Sequence, residues 1–220
     1  MDKKINLIFD FDSTLVKLET IEVLANFSLE KNPNKIKIMN KIKQITKLTM
    51  MGKMSFSEAL LNRISMLKIN DECIHKTIQL LKSNISTSIK NNIVFFNKYR
   101  KNCYIVSGGF KEIIVPVLKD FNILEKNIYA NSFIYKDRSI SLDTNNPLSK
   151  DRGKSFVAKS IKGYNIIIGD GYTDYEVKKY GHAKEFIQFT ENINRLELNK
   201  NADHISSNFT DTIEFITNVQ

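Results

Sequence analysis

Short apolar runs alternate along the chain with longer segments whose apolar residues recur at helical spacing. The runs at residues 5–9, 103–106, 166–168 and 186–189 end at polar or glycine residues, which is typical of buried strands. Strands that alternate with helices predict a parallel sheet with right-handed crossovers. We therefore expect an α/β fold in which helices flank a parallel sheet.

Between residues 17 and 81 the pattern is helical throughout. Four apolar residues recur there three or four positions apart, opposite lysines and a glutamine: Ile38, Ile42, Ile45 and Leu48. Gly52 ends this helix, and Ser55 followed by Glu58 predicts a capping box at the start of the next one. The segment predicts a small helical bundle inserted after the first strand.

Two further segments complete the expected architecture. A helix is predicted from about Ile89 to Lys101, directly before the second strand, and another helix follows Gly109. Residues 131–147 carry two short alternating apolar stretches around a polar pair and close with Asn-Asn-Pro, which predicts a small β-hairpin.

Composition narrows the class of protein. The 220 residues are 42% hydrophobic and 26% charged, which excludes a disordered or collagen-like chain. Cys73 and Cys103 lack the spacing of a disulfide framework or a zinc site. No run approaches the ~18 apolar residues of a membrane span, and the first apolar run meets Asp10 too early for a signal peptide. We expect a cytoplasmic protein.

The net charge of +9 nominally favours nucleic acid or an anionic membrane as a partner. However, an acid-free stretch between Glu30 and Glu58 holds seven of the lysines, and these fall largely on the polar side of the predicted amphipathic helix. We interpret them as a solvated face and expect neither nucleic acid nor membrane as a partner. A basic nucleic-acid-binding protein on the same fold stays as the alternative from another class, and the sequence leaves the oligomeric state open.

Reactive side chains follow three of the predicted strands, where ligands of open α/β sheets bind. Asp10 and Asp12 follow the first strand and are two positions apart, so that their carboxylates point to one side of the chain. A Ser-Gly-Gly turn at 107–109 follows the second, and a later strand ends at Asp170 and Asp174. With Lys154 at the start of a helix, this set of groups could hold Mg²⁺ and a phosphate. Zinc is disfavoured because none of the three motifs contains His or Cys.

The strings IFDFDSTL, IVSGGF, RGK and IIIGDGYTD resemble, in order, the four motifs of the haloacid dehalogenase (HAD) superfamily and span residues 8–174. DFDSTLVKLETIEVLA, TMMGKMSFSEALLNR and VSGGFKEIIVPV further resemble the phosphoserine phosphatase family. The resemblance implies a Rossmann-like HAD core formed by residues 1–16 and 87–220. A helical cap at 17–86 would interrupt this core.

The resemblance also implies the catalytic roles. Asp10 would be the nucleophile that forms an aspartyl-phosphate, and Asp12 would be the general acid and then the general base. The implied Mg²⁺ ligands are Asp10, the backbone carbonyl of Asp12, and Asp170, with Asp174 in support. The implied phosphate-binding groups are Ser107 and Lys154, together with the backbone N–H groups of Phe11 and Gly108.

For the substrate, the resemblance implies that Glu19 binds the amine of L-phosphoserine and Arg63 its carboxylate, with Met50 and Phe56 as the apolar lid wall. The implied reaction is Mg²⁺-dependent hydrolysis of L-phosphoserine, the last step of serine biosynthesis. Alternatives are another small phosphomonoester, or phosphoryl transfer to an acceptor such as homoserine. Two departures from the family pattern are Thr173, where many members have Asn, and Phe189–Asn192, where many relatives have a glycine-rich turn.

Overall fold

The computed structural model describes residues 4–137 and 139–219. Five residues lie outside this part: residues 1–3 and 220 at the outer ends of the two predicted core segments, and Arg138 in the predicted hairpin turn. The strands of the described residues are β1 (Ile5–Phe9), β2 (Cys103–Phe110), β3 (Ile128–Asn131), β4 (Phe133–Lys136), β5 (Ser139–Leu142), β6 (Tyr164–Gly169), β7 (Glu185–Phe189) and β8 (His204–Ser206). The helices are α1 (Thr20–Ser28), α2 (Lys35–Met50), α3 (Phe56–Ile64), α4 (Asp71–Ser83), α5 (Thr87–Asn91), α6 (Ile93–Lys98), α7 (Lys111–Val117), α8 (Gly153–Ser160), α9 (Tyr172–Lys179) and α10 (Phe209–Val219).

Six strands form one sheet in the order β3-β2-β1-β6-β7-β8. Every neighbouring pair in this sheet is parallel, and Leu7 of β1 lies opposite Cys103 on one side and Ile166 on the other. All five residues of β1 are buried, as expected for a strand covered by helices on both faces. The predicted α/β fold with a parallel sheet is confirmed, and β4 and β5 pair as the predicted antiparallel hairpin.

The position of β1 in the sheet determines where the site forms. Its direct neighbours are β2 and β6, so the carboxyl ends of these three strands meet at one edge. These are the strands that the sequence predicts to carry the reactive motifs. The topology therefore brings all three motifs together.

Helices α1 to α4 lie between β1 and α5, in the segment 17–86 for which we keep the name cap. Helix α2 ends at Met50, and Gly52 follows with φ +70°, a conformation that favours glycine. The Ser55 hydroxyl accepts a hydrogen bond from the backbone N–H of Glu58, which is one of the two bonds of the predicted capping box. The prediction for Leu48 is wrong, because this side chain is 43% exposed, whereas Thr46 and Thr49 share the buried face of α2.

The predicted helix from Ile89 to Lys101 is interrupted at Asn92 and forms α5 and α6 instead. The Asn92 side-chain amide donates to the carbonyl of Ser88, and its backbone N–H donates to the carbonyl of Ile89. These local bonds let the chain leave helical geometry without losing hydrogen bonds. Within the described residues, the helices are too short or too polar to cross a membrane.

Candidate active site

Asp10 is the first residue after β1 and lies buried at the carboxyl edge of the sheet. Its Oδ1 accepts from the backbone N–H of Phe11 at 2.7 Å and lies 2.8 Å from the Nζ of Lys154. The same ammonium group lies 2.7 Å from Asp174 Oδ1. The first turn of α8 therefore places one buried cation between two carboxylates that come from β1 and α9.

Three carboxylates form a cluster that could hold a metal ion. One oxygen each of Asp10, Asp170 and Asp174 lies within 4.8 Å of the others, and all three residues are buried. Gly169 makes room for this arrangement, because a Cβ there would lie 2.3 Å from the carboxylate carbon of Asp174. The cluster consists of oxygen ligands only, which suits a hard divalent cation.

Asp12, two residues after Asp10, is held by the start of α1. Its Oδ1 accepts from the backbone N–H of Thr20 at 2.9 Å and also from the Thr20 hydroxyl. Burial, together with the charges of Glu19 and Asp10, raises the pKa of the Asp12 carboxyl well above its usual value. A carboxyl group in this environment is suited to holding a proton.

The Ser107-Gly108-Gly109 segment does not follow β2 but continues it, because β2 extends to Phe110 with a register shift after Val106. Ser107 is buried, and its Oγ accepts from the backbone N–H of Gly109 at 3.0 Å. A Cβ at Gly108 would lie 2.6 Å from the ring of Phe56, so the cap rests directly on this glycine.

The cap contributes the other walls of the same cavity. The predicted substrate residues Glu19, Arg63, Met50 and Phe56 all line it, and they do so together with Asp10, Asp12, Gly108 and Lys154. The structure thus brings the predicted cap residues and the predicted catalytic residues into one cavity. Ser107 is hydrogen-bonded to Gly109, which lines this cavity, and Asp170 and Asp174 cluster with Asp10.

Arg63 is the charged residue of α3 that faces this cavity, and it is only 3% exposed. Its Nε donates to the carbonyl of Ala59 and its Nη1 to the hydroxyl of Thr46, both at 3.0 Å. Burial lowers the pKa of Arg63, although the charges of Glu19 and other nearby acids oppose this effect. These two bonds leave the guanidinium with further N–H donors for a ligand.

The pattern of motifs did not predict Arg195, which is a further charged residue of this site. Its Nη2 lies 2.6 Å from Asp170 Oδ2 and 3.5 Å from Glu19 Oε1, and its Nε donates to the same Asp170 oxygen at 2.8 Å. Arg195 comes from the loop that follows β7, whose carboxyl end lies at the same edge of the sheet. This position is the only sequence signal that could have suggested it.

The same loop also contacts the connection between the core and the cap. The side-chain amide of Asn192 donates to the carbonyl of Ser13 and to the hydroxyl of Ser86, on the two chain segments that lead into and out of the cap. The loop after β7, which departs from the glycine-rich turn of many relatives, therefore contacts both the cap connection and the site.

Charge in the site is unbalanced. Five carboxyl groups (Asp10, Asp12, Glu19, Asp170 and Asp174) surround three cationic groups (Arg63, Lys154 and Arg195). Burial, followed by the charges of other carboxylates, raises the pKa of Asp170 to about 8. Burial and the charge of Asp10 raise the pKa of Asp174 to about 7. This excess of carboxyl groups over cationic groups fits a divalent cation at the carboxylate cluster.

Thr173 adds a polar group with no partner in the described part of the chain. Its Oγ1 is buried without a hydrogen bond, and the residue lines the cavity next to Lys154. A hydroxyl in this position can donate to an anion that enters the cavity.

The sequence is similar to known hydrolases. Residues 7–178 match the family model described as haloacid dehalogenase-like hydrolase. The chain is 31% identical over 209 residues to the phosphoserine phosphatase of Drosophila melanogaster, covering 91% of this chain and 74% of that protein. It is 33% identical over 193 residues to the phosphoserine phosphatase of Methanocaldococcus jannaschii, covering 84% of this chain and 86% of that protein.

A solved structure gives the same result for the fold. The chain superposes on a phosphoserine phosphohydrolase-like protein from Francisella tularensis with a TM-score of 0.85 and 31% identity. The match covers 96% of this chain and 99% of the other, so it includes both the sheet and the cap helices.

Proposed function

The chain belongs to the haloacid dehalogenase-like hydrolases and, within them, to the phosphoserine phosphatase family, and from this premise we propose how its residues hydrolyse L-phosphoserine. It is a phosphomonoester hydrolase. The observation that carries the proposal is that Asp10 and Lys154 of the core and Glu19 and Arg63 of the cap line one and the same cavity.

Asp10 is the nucleophile of the first step. Its carboxylate oxygen attacks phosphorus while the bond between phosphorus and the serine oxygen breaks, which gives a phosphoryl group on Asp10 and a serine alkoxide. Asp12 donates its proton to that alkoxide, so L-serine leaves as a neutral alcohol. The bonds from Thr20 hold Asp12 at the side of the cavity where this proton is needed.

Water completes the reaction in the second step. Asp12, now ionised, accepts a proton from a water molecule that attacks the phosphoryl group, and the bond from phosphorus to Asp10 breaks. Lys154 and the backbone N–H groups of Phe11 and Gly108 bind the phosphoryl oxygens, with the hydroxyl of Ser107 alongside. Inorganic phosphate is the second product.

Mg²⁺ is the cofactor that we propose for the carboxylate cluster. Asp10, the backbone carbonyl of Asp12, and Asp170 would hold it, with Asp174 in support. When bound, Mg²⁺ supplies charge neutralisation at the phosphoryl oxygens, which otherwise face an excess of carboxylates.

The cap determines the substrate in this proposal. A phosphoserine carboxylate pairs with the buried guanidinium of Arg63, and its ammonium group pairs with Glu19, which lines the same cavity. Met50 and Phe56 close the cavity around the short carbon skeleton. A substrate without the amino-acid groups lacks both charged contacts.

Phosphate release from L-phosphoserine, measured with Mg²⁺ and with a chelator, tests the proposal. We expect turnover that requires Mg²⁺ and that falls more than roughly 10³-fold in Asp10→Asn, because the amide is a poor nucleophile. Adding homoserine should leave the yield of inorganic phosphate unchanged. Formation of phosphohomoserine would contradict hydrolysis as the reaction, and full turnover by Asp10→Asn would contradict the mechanism.

A further inference from the structure

Asp151 makes a polar contact that joins the core to the cap next to the cavity. Its two carboxylate oxygens each lie 3.0 Å from the Ser55 hydroxyl, and its Oδ1 accepts from the backbone N–H of Ser57, also at 3.0 Å. Ser55 is the N-cap of α3, and Ser57 lies in the first turn of that helix. A carboxylate of the core therefore binds the N-terminus of a cap helix.

The backbone N–H groups at the start of α3 find hydrogen-bond acceptors in both the cap and the core. The Ser55 hydroxyl accepts from the backbone N–H of Glu58 within the cap, while Asp151 accepts from the N–H of Ser57 across the boundary. Free N–H groups and a partial positive charge at a helix N-terminus both favour an anionic partner. Burial alone would raise the pKa of Asp151, yet these hydrogen bonds lower it.

The residues on the cap side of this contact are those that close the cavity. Phe56 is the first residue of α3, and its ring lies against Gly108. Arg63 lies in the last turn of the same helix and faces the cavity. Fixing the N-terminus of α3 to the core therefore fixes the position of the apolar wall and of the guanidinium.

On the core side, Asp151 lies three residues before Lys154. The two residues between them leave little freedom, because Arg152 has φ +59° and a Cβ on Gly153 would lie 2.5 Å from the carbonyl oxygen of Pro147. The contact to the cap and the ammonium group that bridges Asp10 and Asp174 thus belong to one short, tightly packed segment.

We propose that Asp151 is a positioning residue that latches the cap closed over the cavity, so that Phe56 and Arg63 contact the substrate at the same time as Lys154. The proposal rests on the proposed phosphatase function. The cap opens for entry of substrate and release of serine, and opening breaks the bonds of Asp151 to Ser55 and Ser57. The latch is polar and exposed to water, so it can be broken and remade in every turnover.

The test compares Asp151→Ala, Asp151→Asn and the matched surface variant Asp120→Ala in Mg²⁺ buffer. Asp120 is also exposed, and it lies in the 3-10 turn Lys119–Phe121 that follows α7. We expect kcat/KM for L-phosphoserine to fall roughly three- to thirtyfold in Asp151→Ala. Asp151→Asn should recover part of this loss because its amide oxygen still accepts from Ser57, and Asp120→Ala should match the wild type.

Amide hydrogen exchange separates a latch from a general loss of structure. In Asp151→Ala the N–H of Ser57 should exchange faster, while that of Leu60 in the middle of α3 should not change. The thermal midpoint should fall by less than about 3 °C. An unchanged kcat/KM, or a loss that comes with faster exchange at Leu60, would overturn the latch, whereas absence of phosphoserine turnover in the wild type would instead contradict the proposed function.

Discussion

Single residues of the site divide into those that sequence motifs could identify and those that only the fold brings in. Asp10, Lys154, Asp170 and Asp174 follow strands or begin helices, and a parallel sheet gathers such positions at one edge. Arg195 follows no motif, and its pairing with Asp170 and Glu19 depends on how a loop crosses the edge of the sheet. The path of this loop cannot be predicted from a pattern of residues in the sequence.

Arg63 carries the first prediction at this scale. In Arg63→Ala we expect the KM for L-phosphoserine to rise about ten- to a hundredfold, since a charged hydrogen-bonding group is lost from a buried position. The KM for p-nitrophenyl phosphate, which has no carboxylate at that end, should change less than about threefold. Steady-state kinetics of both substrates check this, with the exposed Arg100→Ala as control. Equal losses on both substrates would argue against carboxylate binding.

Arg195 carries the second prediction. Replacement by Met leaves Asp170 and Glu19 without their cation, and breaking a buried pair of this kind costs about 3–5 kcal/mol of unfolding free energy. Because Mg²⁺ would also neutralise Asp170, the loss should be smaller when Mg²⁺ is present. Urea unfolding with Mg²⁺ and with a chelator measures both values, and Arg195→Lys should lose less. The same loss under both conditions would show that the two cations do not share Asp170.

At the scale of elements, the periodicity in the sequence predicts most of the architecture. It fails where local hydrogen bonds or the packing of neighbouring elements determine the end of a helix or its buried face. The buried runs form the expected strands, and the hairpin forms at the alternating stretch. The break at Asn92 comes from side-chain bonds to nearby carbonyls, and the exposure of Leu48 follows from the face that α2 turns to its neighbours. Neither effect is encoded in the spacing of apolar residues.

Gly108 joins two elements, β2 and α3, and gives the prediction at this scale. In Gly108→Ala the new methyl group would meet the ring of Phe56 at 2.6 Å, so the Phe56 ring, or α3 together with it, must move away from β2. We expect kcat/KM for L-phosphoserine to fall at least about tenfold while unfolding free energy changes by about 1–3 kcal/mol. The double variant with Phe56→Leu should recover activity, because the smaller side chain leaves room for the methyl group. If the double variant is no more active than Gly108→Ala, the clash with Phe56 is not the cause.

At the scale of the whole molecule, the net charge of +9 coexists with a site that has excess negative charge. Six of the seven lysines between Glu30 and Glu58 are exposed and the seventh, Lys35, is half-buried, as expected for a solvated face. The excess positive charge is therefore spread over the cap surface, where it can attract a dianionic ester toward the cavity.

Binding of Mg²⁺ to the carboxylate cluster should stabilise the whole fold. At about a hundred times its dissociation constant, a ligand that binds only the folded state adds about 2.7 kcal/mol, which corresponds to a rise of roughly 5–10 °C in the thermal midpoint. Asp170→Asn should abolish most of this rise. Calorimetry of both proteins with and without Mg²⁺ provides the measurement, and an equal rise in the variant would place the ion elsewhere.

The preference of the enzyme for L-phosphoserine tests the central claim most directly. The measurement is kcat/KM for L-phosphoserine, D-phosphoserine and p-nitrophenyl phosphate in the same Mg²⁺ buffer. Glu19 and Arg63 line one cavity, and we propose that they bind the two charged groups of the amino acid. We therefore expect the L-isomer to exceed both other esters by at least about tenfold. Equal values for all three, or a preference for p-nitrophenyl phosphate, would contradict recognition of phosphoserine by the cap.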